Sequence, residues 1–184
     1  MPIEAQTGTL ADSVDPSIGR AYLDEARRTL DSSLRKIMHC LDQLSDSDLC
    51  WRSHESHNSI QNVILHLCGN VRQWIIHGVG GVPDTRNRSQ EFSDRRPIAR
   101  ADLVGKLRET VAEASAVLAA TDPARLLAQQ RIQGFDTTLL AAIFDSSSHF
   151  VGHTHQIVYI ARLRLGDAYK FQWVPTGPEQ GGTP

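Results

Sequence analysis

With 184 residues, 40% of them hydrophobic and 22% charged, the chain has material for one well-filled core and is short for two. Lys and Arg number 19 and Asp and Glu 21, a formal net charge of -2 that predicts no bulk attraction to nucleic acid or to an anionic membrane. Cys40, Cys50 and Cys68 show no CxxC spacing, which excludes a disulfide framework and a zinc ribbon. Met1-Pro2-Ile3-Glu4 lacks the pattern of a signal peptide and no apolar run reaches about 18 residues, so a cytoplasmic location is expected.

Residues 1–16 read as a flexible N-terminal segment that ends in Asp15-Pro16, a capping oxygen followed by a proline suited to a first helical turn. Leu23, Ala26, Leu30, Leu34, Ile37, Leu41 and Leu44 then recur at steps of three and four, which predicts a first helix over about 17–44. Ser45-Asp46-Ser47-Asp48 stops it, and 51–58 reads as a polar loop. Asn58-Ser59 caps a second helix whose apolar face (Ile60, Val63, Ile64, Leu67, Val71, Trp74, Ile75) is broad. Gly78, Gly80, Gly81 and Pro83 end it.

A structureless loop over about 79–99 follows, and loops of that length inside one domain are more often functional than not. Leu103, Leu107, Val111, Ala114 and Leu118 mark a third helix over 100–119. Residues 124–136 read equally as a short strand or a turn of helix. Asp136 or Thr137 caps a fourth helix that runs to Leu165 and closes at Gly166. The Pro/Gly-rich residues 174–184 read as a flexible tail. No strand-like alternation of any length is present. The expectation is an all-α protein, a four-helix bundle over 17–173 with a long loop between helices two and three.

Eight histidines are present, and two of them form the pattern His149-Phe150-Val151-Gly152-His153 on the fourth helix. A step of four residues turns the helix by only about 40°, so both imidazoles stand on one face, one turn apart. Ala142, Ser146, Phe150, Ile157 and Ile160 share that face with His153, which makes it the inward one. Two imidazoles so placed can chelate one divalent ion, and a third ligand should come from a facing helix. His66, on the flank of the second helix's stripe, is the candidate; a buried histidine of this kind also serves simply as a hydrogen-bonded core residue.

The other five histidines are expected to be non-ligands. His155 lies about 200° around the helix from His153, and His77 lies roughly 16 Å along the axis from His66. His54 and His57 fall in the polar loop, and His39 lies beside the first helix's stripe. No Glu follows His149, as a zincin protease would need, and no Glu-x-x-His pair is present for a di-iron site. Asp145, four residues before His149, can accept a hydrogen bond from that imidazole or can equally be a solvated carboxylate.

On these residues the chain resembles the DinB/YfiT-like family of four-helix-bundle metalloproteins, over about residues 20–172. The likeness rests on Asn58-Ser59-Ile60, His66-Leu67-x-Gly69-Asn70, Arg86-Asn87-Arg88 with Glu91-Phe92, and His149-x-x-x-His153 followed by Gln156-Ile157-Val158-Tyr159. It points to the sub-branch with the Arg-Asn-Arg loop. It implies a triad of His66, His149 and His153, one divalent ion (zinc or nickel), and Asn70 as a residue near the ligands. His155 stands where similar sequences commonly have Gly, and is expected to crowd whatever packs there.

Members characterised as enzymes include thiol-dependent transferases and isomerases. The resemblance therefore implies an enzyme that activates a low-molecular-weight thiol; a metal-water hydrolase and a non-catalytic metal-binding stress or interaction protein are the alternatives. Arg86 and Arg88 either clamp an anionic substrate or pair with Glu91 or Asp84 to order the loop. A homodimer is also expected, because the second helix's apolar face is wider than one partner helix would cover.

Overall fold

The structure is a computed structural model that describes residues 14–173; the segment 1–13 and the tail 174–184, both expected to be flexible, lie outside the described residues. α1 (Pro16–Leu41) starts where Asp15 accepts from the amides of Ser17 and Ile18, and ends three residues before the expected Leu44. The Ser/Asp run after it is a start as well as a stop. Ser45 and Asp48 form a reciprocal cap that opens the short α2 (Asp46–Cys50). α3 (Ile60–Val71) begins on a second such cap, Ser59 with Asn62, and continues as a wider π-helical turn over Arg72–His77.

The expected structureless loop contains a helix, α4 (Arg88–Ser93), whose first turn is capped by Asn87. α5 spans Arg100–Ala120 and α6 Leu139–Leu165, the latter capped by Thr138 rather than by Asp136 or Thr137. The ambiguous stretch between them is a 3₁₀ turn (Pro123–Arg125) and then an antiparallel hairpin, β1 (Gln129–Ile132) with β2 (Phe135–Thr138). Its two turn residues, Gln133 and Gly134, have φ of 53° and 85°, the left-handed pair that a two-residue hairpin demands. With Gln at the first position and only Ile132 fully buried on β1, the hairpin carries little period-two signal.

α1 and α3 each pack against both α5 and α6, so the four long helices run around the bundle in the order α1, α5, α3, α6. Leu23, Leu30, Ile64, Leu67, Leu107 and Phe150 fill the middle. The broad face of α3 is closed within the chain, by α2 and α4 at its sides and by α5 and α6 behind. Ile60, Ile64, Leu67, Val71 and Ile75 are all fully buried. The width of that face therefore gives no reason for a second copy of the chain. Among the described residues no helix is long and apolar enough to cross a membrane.

Candidate metal centre

α3 and α6 face each other, and His66 on the first meets His149 and His153 on the second. One ring nitrogen from each lies within 4.8 Å of the other two. The ring centroids are 4.4–5.0 Å apart and the ring planes cross at 75–86°, so the rings fan edge-on around one point rather than stack. His66 is buried while the other two are half-buried, which leaves the cluster open on one side.

The hydrogen bonds behind the rings fix which nitrogens are free. His66 Nδ1–H donates to Glu91 Oε2 at 2.9 Å, and His153 Nδ1–H donates to Gln156 Oε1 at 2.7 Å. Glu91 Oε2 and Gln156 Oε1 are acceptor atoms, so in this arrangement each Nδ1 carries the proton and Nε2 is left as the free donor atom for a metal. His149 Nε2 lies 2.8 Å from His66 Nε2, within reach of the same point. Three imidazoles with ring nitrogens this close could hold one divalent metal ion.

Glu91 is itself held. Arg86 donates to it twice, Nε to Oε1 at 2.7 Å and Nη2 to Oε2 at 2.9 Å, and with side chains 3% and 9% exposed this is an interior ion pair. Burial alone would raise the Glu91 carboxyl, but the bonds from Arg86 and His66 outweigh it and keep it below its ordinary value, an acceptor at neutral pH. Arg86 Nη1 donates to Gln73 Oε1, and Gln73 Nε2 to Asp84, so the π-helical turn braces the guanidinium. Asn62, buried in the first turn of α3, donates to the carbonyls of Glu91 and Asp94 and pins the end of α4. The loop is thereby docked by buried polar bonds.

Gly69 makes room for this pair. A Cβ there would collide with Glu91 Oε1 and come 3.0 Å from Arg86 Nε. Gly69→Ala is expected to destabilise the fold by about 2 kcal/mol and to loosen the ion, read as a lower melting temperature and a weaker metal affinity.

Burial, then the neighbouring His153, His66, Arg86 and Arg88, pushes the His149 imidazolium down to about 4, and burial lowers His153 as well. Unfolded, His149 titrates near 6.5. The folded value is the lower one, so the unfolded chain takes up its proton first, and stability present above pH 6.5 is lost as pH falls toward 4. For the half-exposed ring this amounts to about 1–2 kcal/mol after solvent screening. Chemical denaturation of metal-free protein at pH 7 and pH 4.5 measures it, and a midpoint that does not fall contradicts the burial of the ring.

The structure brings His66, His149 and His153 together, and sets the other expected residues elsewhere. Asp145 is exposed and makes no hydrogen bond to His149; the carboxylate behind a ligand is Glu91, on His66. Asn70 touches no ligand but accepts from Ser146 Oγ at 2.9 Å, tying α3 to α6 one turn from the cluster. Arg86 is paired with Glu91 and bonded to Gln73, the loop-ordering arrangement, whereas Arg88 is exposed with its guanidinium carbon 5.3 Å from the centre of the Phe92 ring. His155 is exposed and crowds nothing. Of the remaining histidines, His39 bonds to the Lys170 carbonyl, His77 to the Val82 carbonyl, and His54 and His57 to loop serines.

Fold and site together define a helical-bundle protein with a three-histidine cluster able to hold a divalent ion. Residues 17–178 match the model of the family described as "Protein of unknown function (DUF1572)", a DinB-like family, and the chain belongs to that family. No curated protein matches it.

Proposed function

We propose that the chain is a metal-dependent enzyme that presents a low-molecular-weight thiol to an electrophile, with His66, His149 and His153 as ligands of one zinc or nickel ion. Within its family we assign it to the sub-branch that carries the Arg86-Asn87-Arg88 loop. When bound, the ion supplies Lewis acidity and lowers the pKa of a thiol within its reach. The observation that carries this reading is the pairing of an open triad with a spent carboxylate. Glu91 is the carboxylate bonded to the cluster, and both its oxygens are taken by Arg86 and His66. Among the described residues no carboxylate is hydrogen-bonded to His149 or His153, so no evident base stands ready to take a proton from water.

The protein's own residues provide the rest. Glu91 holds His66 in one orientation, Gln156 does the same for His153, and the Phe92 ring, 4.9 Å from His66, shields that side from water. The chain's own Cys68, two residues from His66, is fully buried and about 200° around the helix from it, and burial pushes its thiol up to about 11. Cobalt-substituted protein titrated with glutathione, mycothiol and bacillithiol tests the reading. A new sulfur-to-cobalt absorption with at least one of them is expected. If all three leave the spectrum unchanged while His66→Ala abolishes an esterase or amidase activity, the protein is a hydrolase.

A further inference from the structure

Arg86 and Arg88 stand two residues apart and have opposite situations. Every nitrogen of the Arg86 guanidinium is engaged inside the protein. Arg88, in the first turn of α4, is exposed and, among the described residues, has no carboxylate within ion-pair distance and no side-chain hydrogen bond. It lies 5.3 Å from the centre of the Phe92 ring, which in turn lies 4.9 Å from His66. An aromatic shelf of this kind engages the face of a guanidinium and restricts its motion, and leaves the in-plane N–H fork available to bind a carboxylate with two bonds.

The charge around the cluster is one-sided. Glu91 is paired with Arg86, and Asp145 on α6 makes no hydrogen bond into the cluster. That leaves Arg88 as an unmatched cation one aromatic ring away from His66. The bonds that dock α4, from Asn62 and Arg86, do not involve Arg88.

We infer that Arg88 is the specificity residue of this site and that the thiol it selects bears a carboxylate. The inference rests on the thiol reading above and names the class of cosubstrate within it. The thiol end approaches the three imidazoles; the carboxylate lies against Arg88, on the Phe92 side. A neutral thiol would leave Arg88 unpaired.

N-acetylcysteine and N-acetylcysteamine differ only in a carboxylate, so they isolate its contribution. Titrated into cobalt-loaded full-length protein at low ionic strength, N-acetylcysteine is expected to bind about tenfold or more tightly, read from the sulfur-to-cobalt absorption. In Arg88→Gln the advantage should vanish while the affinity for N-acetylcysteamine and the cobalt content stay unchanged. Arg88→Lys, which keeps the charge but loses the fork, should keep part of it. Equal affinities in the native protein, an advantage that survives Arg88→Gln, or a variant that loses its cobalt would each overturn the inference. If neither thiol changes the spectrum, the thiol reading falls and the carboxylate assignment is decided by calorimetry with propionate. Binding to the cobalt-loaded native protein and not to Arg88→Gln upholds it; equal or absent binding in both ends it.

Discussion

The unaltered chain should retain one divalent ion per molecule, and a variant with both His149→Ala and His153→Ala should emerge from purification without it. The loss should exceed the 10–100-fold that removal of a hydrogen-bond partner behind a ligand costs, because two of three donor atoms are gone. Both rings are half-buried, so their truncation opens no sealed cavity, and the bundle should still fold. His66→Ala should have the same effect on the ion and a larger one on stability, since His66 is 6% exposed and its removal takes a donor from Glu91. Elemental analysis with a competing chromophoric chelator measures the first effect, and thermal melting of the metal-free proteins the second. Metal content unchanged in the double variant would refute the triad.

Arg86→Met should be the most destabilising single change near the site. It leaves the Glu91 carboxylate inside the protein with only the His66 N–H as a donor, and breaking an interior ion pair in this way costs about 3–5 kcal/mol. In a chain of this size that lowers the melting temperature by on the order of 10 °C. Glu91→Leu alone should also destabilise, by stranding Arg86. The double variant Arg86→Met, Glu91→Leu removes both charges at once, and should recover a large part of the stability while the metal affinity stays low. That divergence separates the two roles of Glu91, balancing a charge and orienting an imidazole. If stability and metal affinity recover together, Glu91 does not orient His66.

The triad was legible from the sequence because its signal is periodic. A step of four on one helix puts His149 and His153 on a common face, and His66 stands on the flank of the apolar stripe that faces them. The four long helices were legible for the same reason. Glu91 was visible only as part of a loop motif: its value lies in a contact with a residue 25 positions away, and no local periodicity records such a contact. α4 and α2 are 6 and 5 residues long, too short for a hydrophobic repeat, and their signal is confined to the caps Asn87 and Ser45. Gln61 and Asn62 were hidden by position. They sit within an apolar face and read as its polar edge, yet they are buried and hold the loop by bonds to the backbone of Glu91, Asp94, Arg96 and Ile98. The hairpin stayed ambiguous between a short strand and a turn of helix because neither strand alternates.

The two halves of the cluster have very different separations along the chain. His66 meets Glu91 across 25 residues but meets His149 only across 83. Contacts that close short loops form earlier than those that close long ones. The clasp of His66 by Glu91 and Arg86 lies wholly within residues 66–91, whereas the contact with His149 needs α6. Two of the three ring nitrogens come from α6, so the cluster is not assembled before that helix docks. The order of the elements thus makes the three-histidine site complete only once α6 has docked on α3.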